Sequence, residues 1–237
     1  MTKLLETVAL EAFYGDFQAL FGIDFAIDPG ETVAIIGANG AGKSTFLRAI
    51  TGLRPTAGQR VSFDGVPIAG MPPDRIHSLG IAMVPEGRRL FPSLSVEENL
   101  LIGAAGGRKG PWSLQRVYAL FPDLVAKRRN PGTALSGGQQ QMVAIGRALM
   151  SNPRLVLCDE ISLGLAPKVI KDIYRALPVI RAEGAAIVVV EQDVGQALAA
   201  ADRVVCFMEG RVSLAGTPAS LSRDAIAAAY FGIEEAA

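Results

Sequence analysis

Histidine occurs once in the 237 residues and cysteine twice, and no charge of either sign is in excess. His77, in Asp74-Arg75-Ile76-His77-Ser78-Leu79-Gly80, is the only imidazole, and its place suits a solvated helix face better than general-base chemistry, where geometry comes before pKa. Cys158 and Cys206 each sit in an apolar, strand-like run without metal-ligand spacing, which reads as buried core in a reducing compartment. Lys+Arg and Asp+Glu both total 23, so no global field points to nucleic acid or an anionic membrane as the main partner. The run Lys127-Arg128-Arg129 reads as a solvated helix end. No apolar run approaches the roughly 18 to 20 residues that span a bilayer. The longest, Ala185 to Val190, is strand-sized. The opening MTKLLETVALEAFYGDF carries Glu6, Glu11 and Asp16 and no small-residue cleavage site, so it fails as a signal peptide and the expected location is the cytoplasm. Internal repeats, linkers and low-complexity tracts are also missing from the pattern.

Half of the positions are hydrophobic, enough for a sizeable core in one large domain. Continuous apolar runs at Thr32–Ile36, Leu155–Cys158, Ala185–Val190 and Val204–Met208 alternate with Gly-rich turns and helical stretches, the rhythm of an α/β fold with buried strands. From about Val96 to Met150 the period turns helical, in Val96–Ala105, Leu114–Leu120 and Gln139–Met150, broken at Gly106-Gly107, Gly110-Pro111 and Asn130-Pro131-Gly132. This predicts a helical subdomain over about 96–150 inserted in the single domain 1–237. The first 65 residues predict short antiparallel strands with turns at Asp28-Pro29-Gly30 and Asp64-Gly65.

Strand Thr32–Ile36 runs into Gly37-Ala38-Asn39-Gly40-Ala41-Gly42-Lys43-Ser44 and then a helix-like Thr45–Ile50, which is the P-loop pattern in its strand–loop–helix setting. Gly37, Asn39, Gly40, Gly42 and Thr45 belong to a loop whose backbone N–H groups turn toward phosphate oxygens, with the helix N-terminus adding partial positive charge. Lys43 is expected on the β- and γ-phosphates of ATP, and Ser44 on Mg²⁺. Leu155-Val156-Leu157-Cys158-Asp159-Glu160 brings two carboxylates to the end of a buried strand. Asp159 suits the metal, and Glu160 suits a water-polarising base.

Leu135-Ser136-Gly137-Gly138-Gln139-Gln140-Gln141 leads into an apolar helix, with Ser136 able to cap and the glycines exposing N–H groups to an anion. With the two motifs above, this signature makes the chain resemble the ABC ATPases over nearly its whole length. The resemblance implies a P-loop NTPase core of RecA-like type with an N-terminal antiparallel β region and a helical insertion. It also implies that cassettes pair head to tail, with Ser136 and Gly138 of one closing on the γ-phosphate held by the other. Tyr14 lies at the spacing where the family stacks an aromatic ring on adenine, although an ordinary core tyrosine has the same signal.

Three positions depart from the common ABC pattern. In Val84-Pro85-Glu86-Gly87-Arg88-Arg89-Leu90-Phe91, Glu86 stands where a glutamine usually contacts Mg²⁺ or water. In Val190-Glu191-Gln192-Asp193, Gln192 replaces the switch histidine, able to donate to the γ-phosphate but not to carry charge. In Ile161-Ser162-Leu163-Gly164-Leu165-Ala166-Pro167, Leu165 takes the place of an aspartate. Together these resemble the second ATP-binding subunit of bacterial branched-chain amino-acid uptake transporters. That subfamily implies a paralogous second cassette, permease subunits, a periplasmic binding protein, and a peripheral position on the cytoplasmic face of the membrane. A homodimer, import of urea or amides, and a non-catalytic regulatory cassette are the competing expectations. A role on nucleic acid lacks the inserted coiled coil or second cassette of such relatives.

Overall fold

The computed structural model describes residues 2–56 and 60–231. Two strands open the chain, β1 (Leu5–Tyr14) and β2 (Phe17–Ile27), and pair antiparallel. Gly15, with φ +59, makes their turn possible, because only a residue without Cβ enters that region at no cost. After β3 (Thr32–Ile36) and α1 (Lys43–Ile50), strands β4 (Arg60–Phe63) and β5 (Val66–Pro67) turn at Asp64-Gly65 and complete a four-stranded sheet ordered β2-β1-β4-β5. Strands β1 and β2 are longer than expected, at 10 and 11 residues. A bulge hides the length of β1: Ala9 takes φ +49 and its N–H bonds the Asp24 carboxylate, so Val8 and Ala9 both face out before Leu10 returns to the core. The Asp28-Pro29-Gly30 turn, expected inside this sheet, instead carries the chain from β2 to β3 in the second sheet.

The main sheet has the order β10-β9-β3-β8-β7-β6. Its further elements are α2 (Pro73–Leu79), β6 (Ile81–Val84), β7 (Leu155–Asp159), α6 (Pro167–Ala182), β8 (Ala186–Glu191), α7 (Val194–Ala200), β9 (Arg203–Met208), β10 (Arg211–Gly216) and α8 (Arg223–Phe231), with α3 to α5 between β6 and β7. Strands β6, β7, β8, β3 and β9 run parallel, and every residue of β3, β7 and β8 is buried, which is why they read as unbroken apolar runs. The chain therefore leaves β3, β6, β7 and β8 at one edge, where α/β sheets gather their ligand loops.

Helix α1 is wedged between the two sheets. The Phe46 ring is fully buried and meets Phe25 and Phe207 edge-on at 5.1 and 5.5 Å. Burial of that one side chain contributes about 2 kcal/mol and fixes the helix that begins at Lys43. On the other face, α3 (Val96–Gly103), α4 (Leu114–Leu120) and α5 (Gly137–Leu149) form the expected helical insertion over a second core. Gly146 lets α5 pack closely, since a Cβ there would lie 2.7 Å from both Leu100 and Val117. No helix among the described residues is long and apolar enough to cross a membrane.

Candidate phosphate-binding and hydrolytic site

The P-loop leaves β3 through Gly37 (φ +150), Gly40 (φ +84) and Gly42 (φ +101), and Gly42 caps α1 in a left-handed conformation. A Cβ at Gly37 would overlap the Phe207 carbonyl on β9, so the loop lies directly on the sheet edge. Lys43 is only 4% exposed, and its Nζ donates to the carbonyls of Gly37 at 2.6 Å and Ala38 at 3.0 Å. Burial pushes the Lys43 ammonium pKa down, while the Glu160 and Asp159 carboxylates oppose that shift. The cation is thus held at the floor of the loop, 3.9 Å from Glu160.

Asp159 ends β7 with 2% exposure and accepts from Ser44 Oγ at 3.0 Å. Burial pushes its carboxyl pKa up, against the Ser44 bond, and the charges of Glu160 and Glu86 add to the rise. Glu160 has φ +49, its N–H bonds the Val190 carbonyl at 3.0 Å, and its Oε2 accepts from Gln192 Nε2 at 2.7 Å. Residues Asn39 to Thr45, Glu86, Glu160, Leu163 and Gln192 line a cavity of about 440 Å³. Among the described residues no group of three or more His, Cys, Asp or Glu side chains converges as a metal cage. A hydroxyl beside one carboxylate is a hard, incomplete oxygen set, which fits Mg²⁺ completed by phosphate and water oxygens.

Of the residues expected in the site, the P-loop set, Asp159, Glu160, Glu86 and Gln192 come together here. Ser136 and Gly138 do not line the cavity. They start α5, where Ser136 and Gln139 form a capping box, and a Cβ at Gly138 would overlap Val169. Tyr14 is no core residue. It is 39% exposed, its Oη lies 3.4 Å from Thr45 Oγ1, and the Arg54 guanidinium sits 3.8 Å over its ring. Leu165 packs half-buried on the second core. His77 is exposed on α2 and its ring accompanies the Ile81 carbonyl at 3.2 Å. Both cysteines are free and buried, with the Cys158 thiol pushed up to about 12 by burial, which makes it inert.

Sequence reasoning missed two groups that tie the loops of this site to the rest of the fold. Arg147 on α5 donates to the carbonyls of Arg89 at 2.8 Å and Arg88 at 3.0 Å, tying the signature helix to the Glu86 loop. The other is Glu191, buried beside Gln192. The only signal was a charge closing an apolar run, which ordinarily marks a strand end in solvent.

The sequence matches the ABC transporter family over residues 20–162. It is 42% identical over 226 residues, covering 94% of this chain and 97% of the relative, to the high-affinity branched-chain amino acid transport ATP-binding protein BraG of Pseudomonas aeruginosa. It is 36% identical, covering 90% and 92%, to a probable branched-chain amino acid transport ATP-binding protein, LivF, of Archaeoglobus fulgidus. Among solved structures, it superposes with a TM-score of 0.79 at 26% identity on an ATP-binding cassette in a dimeric post-hydrolysis state bound to ADP and Pi, covering 90% of this chain and 98% of that one.

Proposed function

The chain belongs to the ABC transporter family as an ATP-binding, ATP-hydrolysing subunit, and from that premise we propose that it powers uptake of branched-chain amino acids through a separate membrane permease. The observation that carries the ATPase role is the meeting of Lys43, Glu160 and Gln192 in one cavity at the parallel-strand edge. The solute rests on the relatives, each matched along nearly its whole length.

In this reading Gly37, Asn39, Gly40, Gly42 and Thr45 bind phosphate through the loop backbone, and Lys43 leaves its two carbonyls for the β- and γ-phosphates. Ser44, Asp159 and Glu86 are the residues that would hold Mg²⁺, which would supply charge neutralisation at the phosphates. Glu160 takes the proton of the attacking water as the bond from the γ-phosphorus to ADP breaks. Gln192 orients that carboxylate and donates to the γ-phosphate, and Tyr14 stacks on adenine. Ser136 and Gly138 stand apart from their own cavity, which favours a head-to-tail dimer in which they close the partner's site. The partner is a paralogous cassette or a second copy. ATP binding joins the pair and hydrolysis lets it open.

The domain is read as residues 1–237 with the helical subdomain at about 96–150. The loop from Glu86 to Phe91 and the helical insertion form the permease contact, where Phe91, Leu101 and Ile102 are exposed. The subunit then sits on the cytoplasmic face of the membrane and serves a periplasmic binding protein through the permease. Uptake of labelled leucine, isoleucine and valine by vesicles holding the two cassettes, the permeases and the binding protein tests the solute. Transport of urea or amides instead would replace it, and ATPase that appears only from the paralogue would make this chain a regulatory cassette.

A further inference from the structure

Glu191, which closes β8, is a buried carboxylate to which hydrolysis assigns no task, with 2% of its surface exposed. A buried carboxylate costs free energy unless it is hydrogen-bonded. Here Ser162 Oγ donates to one oxygen at 2.6 Å and Tyr174 Oη donates to the other at 2.8 Å. Ser162 lies in the loop that follows Glu160, and Tyr174 stands on α6, into which that loop runs. One carboxylate therefore bridges the two sides of segment 160–166, which also carries Leu163 at the edge of the phosphate cavity. Its sequence neighbours grip the same segment, since Val190 O accepts from Glu160 N at 3.0 Å and Gln192 Nε2 donates to Glu160 at 2.7 Å. Three successive residues thus hold the main chain, the following hydroxyl and the acidic side chain of one loop.

We propose that Glu191 is a positioning residue for ATP hydrolysis, fixing through Ser162 and Tyr174 the loop that aims the Glu160 carboxylate. The inference rests on reading Glu160 as the base. Without the carboxylate two half-buried hydroxyls lose their acceptor and the loop loses its tie. Glu160, held at φ +49, is then free to relax. The bonds that shape the P-loop, Lys43 to Gly37 and Ala38 and Ser44 to Asp159, do not pass through Glu191, so the effect falls on the chemical step rather than on ATP binding.

The test compares Glu191→Ala, Glu191→Gln, Ser162→Ala and the Glu191→Ala/Ser162→Ala pair in the full chain, by steady-state ATPase and by amide hydrogen exchange. Glu191→Ala is expected to lower kcat roughly ten- to hundredfold with KM for ATP within about twofold of wild type. Glu191→Gln, whose amide oxygen still accepts one hydroxyl, should retain more activity, and the pair should be no slower than Glu191→Ala alone. Exchange across 160–166 should speed up while that of the P-loop stays unchanged. Wild-type kcat, a KM that rises in step with the loss, additive losses in the pair, or unchanged loop exchange would each overturn the proposal. If Glu191→Ala does not fold, Tyr174→Phe and Ser162→Ala each remove one bond and should each give part of the kcat loss; wild-type rates in both would overturn it equally. Glu160→Gln in the same assay separates the two readings, because full turnover there removes the base, while loop exchange reports on the tie independently of turnover.

Discussion

Gln192 Nε2 donates to Glu160 Oε2 at 2.7 Å, so the residue in the switch position is attached directly to the acid that follows β7. A neutral amide in this place contributes one hydrogen bond to a charged group, roughly 1.5 to 3 kcal/mol, or about ten- to hundredfold in rate if the bond tightens in the transition state. Gln192→Ala should show that loss. Gln192→Asn should be nearly as slow because its shorter arm misses the carboxylate, and Gln192→His should keep much of the rate. His77→Ala should turn over like wild type, since its ring is exposed on α2. An inactive His77→Ala beside a fully active Gln192→Ala would mean the switch lies elsewhere.

Lys43→Ala removes a buried cation whose two bonds are to loop carbonyls and whose burial already lowers its pKa. The fold should survive, with a melting midpoint close to wild type, while turnover falls about a hundredfold or more for want of charge at the phosphates. Calorimetric titration with ATP and a melting curve on the same sample check both halves.

Leu90 and Phe91 are adjacent but differ in their surroundings. Phe91 is 47% exposed, whereas Leu90 packs half-buried on the second core beside Gly132. Phe91→Asp should therefore abolish permease-coupled uptake and leave the ATPase of the free cassette near wild type. Leu90→Asp should lower stability by about 2 kcal/mol or more as it carries a charge into that core. Arg147, which holds the Arg88 and Arg89 carbonyls, and Asn99, which bonds the main chain of Phe91, Leu94 and Ser95, pin the loop from two helices. Arg147→Ala should loosen it and weaken coupling in the vesicle assay.

Burial raises the Glu191 carboxyl above its ordinary value of 4.5, against the bonds from Ser162 and Tyr174. The folded chain then holds that proton more tightly than the unfolded chain. Its contribution to stability is present below 4.5 and is lost as pH rises through the folded value. Glu191→Gln cannot titrate. In urea unfolding from about pH 5 to about pH 8, the stability of wild type relative to Glu191→Gln should fall as pH rises. A difference that is flat or grows with pH contradicts the assignment.

The parallel strands, the P-loop and the Asp159-Glu160 pair were legible because each is local: a buried strand is a continuous apolar run, and the loop chemistry is contiguous in sequence. What was not legible depends on distant partners. The Ala9 bulge broke the alternation of β1, so a strand of 10 residues read as shorter pieces. The burial of Glu191 rests on Ser162 and Tyr174, 29 and 17 residues away in sequence, so no local pattern marks it. Leu165 looked like the loss of a functional aspartate, and its packing on the second core gives it a structural task of its own.

In the proposed mechanism Glu160 is the base of an ATP-joined cassette pair. Glu160→Gln keeps Lys43, Ser44 and Asp159 in place and removes only the carboxylate that takes the proton, so binding and chemistry separate. With ATP and Mg²⁺, alone or mixed with its paralogue, the variant should elute from size exclusion as a stable dimer with ATP unhydrolysed, and its turnover should fall at least about a hundredfold. Turnover at the wild-type rate, with no ATP-dependent dimer, would contradict it.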